Sequence, residues 1–273
     1  MSLRAWKPNL LVPVTNPNST KGVFSFLQNV AFPKGSVKLL GISPDQKDNE
    51  LIRHINGLSQ AFQQRGVFSS WAIINTKNLA DGVNFANQAY RGSFFKPNIV
   101  FLNMLDRESY ENDFHEIIAE SARLKLGLLI YFQHPKSGLG QRQFINIWIR
   151  NRAPLWKISW DIGNLDLSIL VAYKLKKNWI ASIRLVTVVD NKNQEIQANK
   201  FMSELIDLAR LPKTETLIHI GDFNKYILDA PNADLNIFGL VPEPDFKFMA
   251  KMVDNTQTTC LFIRDSGMEN ILA

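Results

Sequence analysis

A single cysteine, Cys260, occurs in 273 residues. One thiol rules out an internal disulfide and fits a reducing compartment, where packing must hold the fold. The chain also lacks any run of about 18 apolar residues, so no stretch of it is expected to span a membrane. Its unbroken apolar patches, such as 128–132, are strand-sized. No basic-then-apolar leader opens it. Net charge is a modest +6 and scattered, with Arg142, Arg150, Arg152 and Lys157 the notable cluster. Nucleic acid would call for a denser basic stripe with interleaved aromatics, so no nucleic-acid partner is expected. The cluster reads as a solvated basic face, with an anionic membrane leaflet or a partner's acidic loop as the alternative.

The apparatus of catalysis is scarce as well. No Gly-x-x-x-x-Gly-Lys-Ser/Thr loop and no Gly-x-Ser-x-Gly elbow is present. Gly138-x-Gly140 does not open a helix after a strand, so it is no phosphate cradle. His54, His115, His134 and His219 fall in different expected elements, none with a ligand neighbour at zinc spacing. They read as solvated or hydrogen-bonded structural histidines. Asp234, Glu243 and Asp245 lie in expected loops and read as solvent-facing. No catalytic, cofactor or metal residue is assigned, no cofactor is expected, and the chain reads as a non-enzyme.

What is present is regular alternation. Apolar strand-length runs are expected at 9–14, 36–42, 67–75, 98–104 and 127–132, with helices at about 20–30, 45–65, 78–91 and 109–125 between them. Ser43-Pro44-Asp45-Gln46 reads as a capping box for the second helix. Residues 133–143, with His134-Pro135, Gly138 and Gly140, read as the domain boundary. The plan then repeats. Strands are expected at 144–150, 181–189, 214–220, 233–240 and 258–264, and helices at 165–175, 192–211, 223–229 and 245–253. Asn164 or Asp166 is the expected cap of the first of these helices, whose run Leu167 to Ala172 leaves no polar face. Lys176 and Lys177 suit the C-terminal end of that helix, where the dipole is negative, and with Trp179 they lead into the next strand; the tail from Asp265 is expected to fray. Ten strand–helix units at near-equal spacing imply right-handed parallel crossovers. The fold class is α/β: two tandem doubly wound parallel-sheet lobes, 1–137 and 138–273, resembling the universal-stress-protein fold.

In such sheets ligands sit at the carboxyl ends of strands. Asn75, Asn103, Asp190, Asp222 and Asp265 lie there, and each also suits a capping role. Trp148, Trp156 and Trp160 crowd within 13 residues beside Arg150 and Arg152. They read as core filling or, alternatively, as anchors of an interface between lobes or subunits.

The stretch from Trp156 to Asn191 makes the chain recognisable. An Asp161-x-Gly163 turn, a short apolar helix, a basic patch with Trp179 and the strand Ile183-Arg184-Leu185-Val186-Thr187-Val188 resemble, without a gap, the cytosolic C-terminal domain of cation–chloride cotransporters. Trp6-Lys7-Pro8-Asn9 is similar to the Trp-Arg-Pro entry of that domain, and Lys96-Pro97-Asn98-Ile99 to its Pro-Asn strand opening. The resemblance suggests a prokaryotic member of the amino acid–polyamine–organocation superfamily. It implies a regulatory and dimerisation domain on the cytoplasmic face of the membrane, pairing as a homodimer and joined to a transmembrane part that carries chloride with potassium and/or sodium. No ion site would lie in this chain. The alternative is a stand-alone stress-protein-like module holding a nucleotide or small ligand near Asp190 and Asp222. The glycine loop with which stress proteins hold ATP is missing from both lobes, since Asn103-Met104-Leu105-Asp106-Arg107 has no glycine and only Gly239 serves the second.

Overall fold

The computed structural model describes residues 6–44, 48–158 and 162–272, with the side chains of 106–108 excepted. It divides into two compact units, Trp6–Tyr131 and a second beginning at Phe132.

In the first unit, strand β1 (Asn9–Val14) is followed by a 3-10 turn (Pro17–Thr20) and helix α1 (Phe24–Ala31). Then come β2 (Ser36–Ser43), α2 (Asn49–Gln64), β3 (Phe68–Asn75), α3 (Leu79–Ala89), β4 (Ile99–Asn103), α4 (Arg107–Arg123) and β5 (Gly127–Phe132). The strands are parallel in the order β3-β2-β1-β4-β5. Crossovers run outward both ways from β1, so the order reverses between β1 and β4. All eight residues of β2 are buried, as a strand covered on both faces requires, whereas the edge strand β3 is half-exposed. Helices α2 and α3 begin where a short polar side chain accepts from a free first-turn N–H. Asp48 accepts from Leu51 N at 3.0 Å and Asn78 from Asp81 N at 2.8 Å. Residues 45 and 46 of the expected capping box lie outside the described residues, and α2 is capped by Asp48 instead.

The second unit repeats the order. It contains β6 (Phe144–Trp148), α5 (Leu165–Trp179), β7 (Ser182–Val189), α6 (Lys192–Leu208), β8 (Thr214–Ile220), α7 (Phe223–Asp229), β9 (Leu235–Gly239), α8 (Phe246–Thr256) and β10 (Cys260–Arg264). Its parallel order is β8-β7-β6-β9-β10. Residues 165–172 of α5 are all buried, which explains a helix with no polar face. Lys176 and Lys177 stand in the last turn of this helix, as expected, and the helix runs on through Trp179 until Ile180 takes a left-handed φ of 60°. There the Ile180 N–H closes on Lys176 O and the chain turns. The basic residues thus complete the last turn, where the helix dipole is negative.

The segment after β5 is ordered. His134 is buried, and its Nδ1 accepts from Ser137 N at 3.0 Å. Thr259 Oγ1 accepts from His134 N at 3.1 Å and donates to Gly138 O. Asp234 accepts from the backbone N–H groups of Gln141, Gln143 and Phe144 at 2.7–2.9 Å. Asp234 keeps part of its surface open to solvent, and three converging amides fix its carboxylate and with it the start of β6.

Candidate functional site

The carboxyl ends of the second unit's strands hold Trp148 and the aspartates Asp190, Asp222 and Asp265. Trp148 ends β6, with Asn151 and the connection to α5 beyond it. Asp190 follows β7, Asp222 follows β8, Gly239 ends β9 and Asp265 follows β10.

Trp148 is only 7% exposed. Its indole stacks on Phe238 at 5.7 Å between ring centroids and meets Phe223 edge-on at 5.6 Å. Nε1 donates to Asn236 Oδ1 at 2.8 Å. A buried indole needs such an acceptor, and Asn236, a polar residue inside an apolar strand, supplies it. Trp156, 8% exposed, lies elsewhere, edge-on to Phe201 of α6 at 5.6 Å. Arg152 covers the same Phe201 ring at 5.3 Å and donates to Ile162 O at 3.1 Å. The structure thus brings Arg152 and Trp156 together through Phe201 and places Trp148 in a separate aromatic cluster. Arg150 is exposed, and Trp160 lies outside the described residues.

The two aspartates of the candidate ligand groove are engaged by the protein. Asp222 caps α7, accepting from Lys225 N at 3.0 Å. Asp190 accepts from Asn151 Nδ2 at 3.3 Å, while its own N–H donates to Gln194 Oε1 at 3.0 Å. Asn191, rather than Asp190, caps α6. In the first unit Asn103 donates to Ser19 O at 2.7 Å and accepts from Leu105 N at 3.4 Å, tying the end of β4 to the 3-10 turn after β1. Thr20 of that turn bonds His54 Nε2 at 2.7 Å. Asn75, with its amide nitrogen turned toward them, reaches the carbonyls of Ser43 and Pro44.

The tail corrects another expectation, since it folds back rather than fraying. Asp265 accepts from Leu167 N at 3.1 Å, so α5 is capped by a residue 98 positions away. Asn164 does not cap; it donates to Leu240 O and accepts from Asp265 N at 3.1 Å. Asp166 accepts from Ile271 N at 2.8 Å, and Ile271 is buried. Burial pushes the Asp265 carboxyl up to about 8, with the charges of Glu269 and Asp166 adding and the Leu167 amide opposing. Periodicity carries no signal for a contact of this separation. Burial likewise pushes the Cys260 thiol up to about 12, which leaves it unreactive. Among the described residues no group of three or more His, Cys, Asp or Glu could hold a metal ion, and no helix is long and apolar enough to cross a membrane.

Residues 12–139 match the family described as prokaryotic cation-chloride cotransporter, C-terminal domain, 1st. Residues 140–272 match the corresponding second domain. Among solved structures, the cytoplasmic domain of a prokaryotic cation chloride cotransporter is 38% identical, with a TM-score of 0.87, covering 98% of this chain and 99% of that one. A universal stress protein from Archaeoglobus fulgidus DSM 4304 superposes at a TM-score of 0.57 with 12% identity, covering 95% of this chain and 97% of its own. A putative universal stress protein from Pseudomonas aeruginosa UCBPP-PA14 reaches 0.56 with 11% identity, covering 97% and 95%. The last two are alike in fold alone. No curated protein sequence matches the chain.

Proposed function

The chain belongs to the C-terminal domains of the prokaryotic cation–chloride cotransporters, and on that premise we propose that it is the regulatory and dimerisation domain of such a transporter. It acts on the cytoplasmic face, joined to a transmembrane part that carries chloride with potassium and/or sodium. The supporting observation is the match over both lobes, in order, at 38% identity to a cotransporter's cytoplasmic domain. The candidate ligand groove adds to it. Asp190 and Asp222, the residues a nucleotide module would use there, are spent on a side-chain bond and a helix cap. Ion selection is assigned to the membrane part, and this domain pairs two copies and passes a signal to it.

Two measurements test the reading. An antibody against this domain, used on fractionated native host, should detect a membrane-bound protein larger than this chain. A soluble band of this chain's size would sink the transporter assignment. Sedimentation of the isolated domain should show a concentration-dependent dimer, and a monomer at every concentration would count against the pairing role. Arg150 is the exposed member of the candidate interface set among the described residues, so Arg150→Glu is the first variant to compare.

A further inference from the structure

A recess of about 390 Å³ opens at the amino-terminal ends of β4 and β5, the end opposite the one where open α/β sheets bind ligands. Arg91, Lys96, Arg123 and Lys125 line it, with Asn87 and Pro97. Arg91 sits in the 3-10 turn (Tyr90–Gly92) after α3, and Arg123 ends α4. Lys125 follows α4 in a left-handed conformation, φ 53°. The Lys96-Pro97-Asn98 segment is pinned to β1, since Asn98 Oδ1 accepts from Asn9 N at 2.8 Å, Asn98 Nδ2 donates to Lys7 O at 3.0 Å and Lys96 O accepts from Asn9 Nδ2 at 3.1 Å. The cations are therefore carried on held backbone.

A bland reading is available. Basic residues gather at helix C-termini because the dipole there is negative. That attraction accounts for only part of the charge gathered here. Two helix ends contribute about half a negative charge each, and Glu120 one more. Glu120 is taken by Arg123, whose Nε and Nη2 donate to its carboxylate at 2.6 and 2.5 Å. Among the described residues, Arg91, Lys96 and Lys125 take part in no salt bridge. Four cations outweigh all of this and leave the recess clearly positive.

Asn87 supplies a second and independent observation. It is 7% exposed, it lines the recess, and neither its Oδ1 nor its Nδ2 has a hydrogen-bond partner among the described residues. A buried amide without partners is rare, because desolvation is costly unless something restores the bonds. An amide N–H donor that lines the same recess as guanidinium and ammonium groups suits a tetrahedral oxyanion. The Arg91 fork meets two of its oxygens, lysines act as point charges, and the Asn87 amide donates to a third oxygen.

We propose that this recess binds a phosphate-class oxyanion, either free or as the headgroup of an anionic lipid. Phe94, 94% exposed, stands in the same Arg91–Lys96 segment and suits contact with a membrane interface in the second case. The site lies in the first unit, whereas Asp190 and Asp222 belong to the second, and it does not rest on the transporter reading.

The test uses the 273-residue chain. Calorimetric titration with inorganic phosphate, at ionic strength held constant with chloride, should show saturable binding. Lys96→Ser combined with Lys125→Asn removes two exposed charges, and asparagine tolerates the left-handed backbone at 125. Losing two charge-assisted contacts should weaken binding roughly tenfold or more. Asn87→Leu, checked for native circular dichroism, should weaken it too. A second arm sediments the chain with phosphatidylglycerol or phosphatidylcholine vesicles. Capture by the anionic vesicles alone, lost in the double variant and reduced in Phe94→Ser, assigns the lipid source, whereas saturable phosphate binding without capture assigns the free anion. The proposal is overturned if neither probe binds, or if the double variant binds either probe as the wild type does.

Discussion

The two lobes share one strand order and finish their strand ends by different means. In the first, β1 ends in Val14, and the space above it is closed by short polar ties: Asn103 to Ser19, and His54 to Thr20. In the second, β6 ends in Trp148, and the space is filled by stacked aromatics, Trp156 set edge-on to Phe201 of α6, and the returning tail. A topology fixes where a crevice can form but not what occupies it. In this chain each lobe turns its own side chains into the place where relatives of the same topology can accept a ligand.

The contrast can be broken from the heavier side first. Trp148→Ala removes a buried indole from three aromatic neighbours and strands Asn236, so chemical denaturation should register a loss of about 3–5 kcal/mol. A loss below about 1 kcal/mol would mean that the aromatic cluster collapses freely onto the gap.

Asp265→Asn sharpens the comparison through pH. The wild-type carboxyl ionises near 3.8 when unfolded and is pushed up to about 8 when folded. Between these values the unfolded chain holds fewer protons, so stability falls as pH rises. The penalty is absent below about pH 4 and complete above about pH 8. Asparagine still accepts from Leu167 N but carries no charge. Urea midpoints from pH 5 to 8 should therefore show the variant gaining on wild type, by at most about 1.4 kcal/mol per pH unit. Parallel curves would show that the carboxylate is not desolvated as its burial implies.

On the lighter side, Asn103→Ala should cost about 1 kcal/mol, the worth of one tie to Ser19 with partial solvent access. If it costs as much as Trp148→Ala, the two closures are energetically equivalent and the contrast is one of chemistry only. Arg150→Glu should leave stability within about 0.5 kcal/mol, because the side chain is exposed. An effect on the sedimentation profile without one on stability would single it out as an interface residue.

Much of this architecture was legible because it is local. Strand-length apolar runs, helical stripes such as Leu51, Ile55 and Phe62, and a cap such as Asp222 depend on neighbours within one turn. The family resemblance rested on the same kind of stretch, Asp161 to Val188, with its helix and its buried strand. The end of that helix at Trp179 was not legible because a left-handed isoleucine ends it rather than a glycine, and no composition rule marks that position.

By itself the sequence determined the alternation of strands and helices, the parallel doubly wound class, the lack of a membrane-length helix and the family, since each follows from periodicity and short motifs. Tertiary structure alone decided which polar residues do what. It turned Asp265 into the cap of a helix 98 residues earlier, made Asp234 the clamp of β6, sank Trp148 and Trp156 into separate clusters, and set Asn87 without a partner among four cations. Those roles depend on which distant groups share a small volume after desolvation, and separation along a chain carries no record of that.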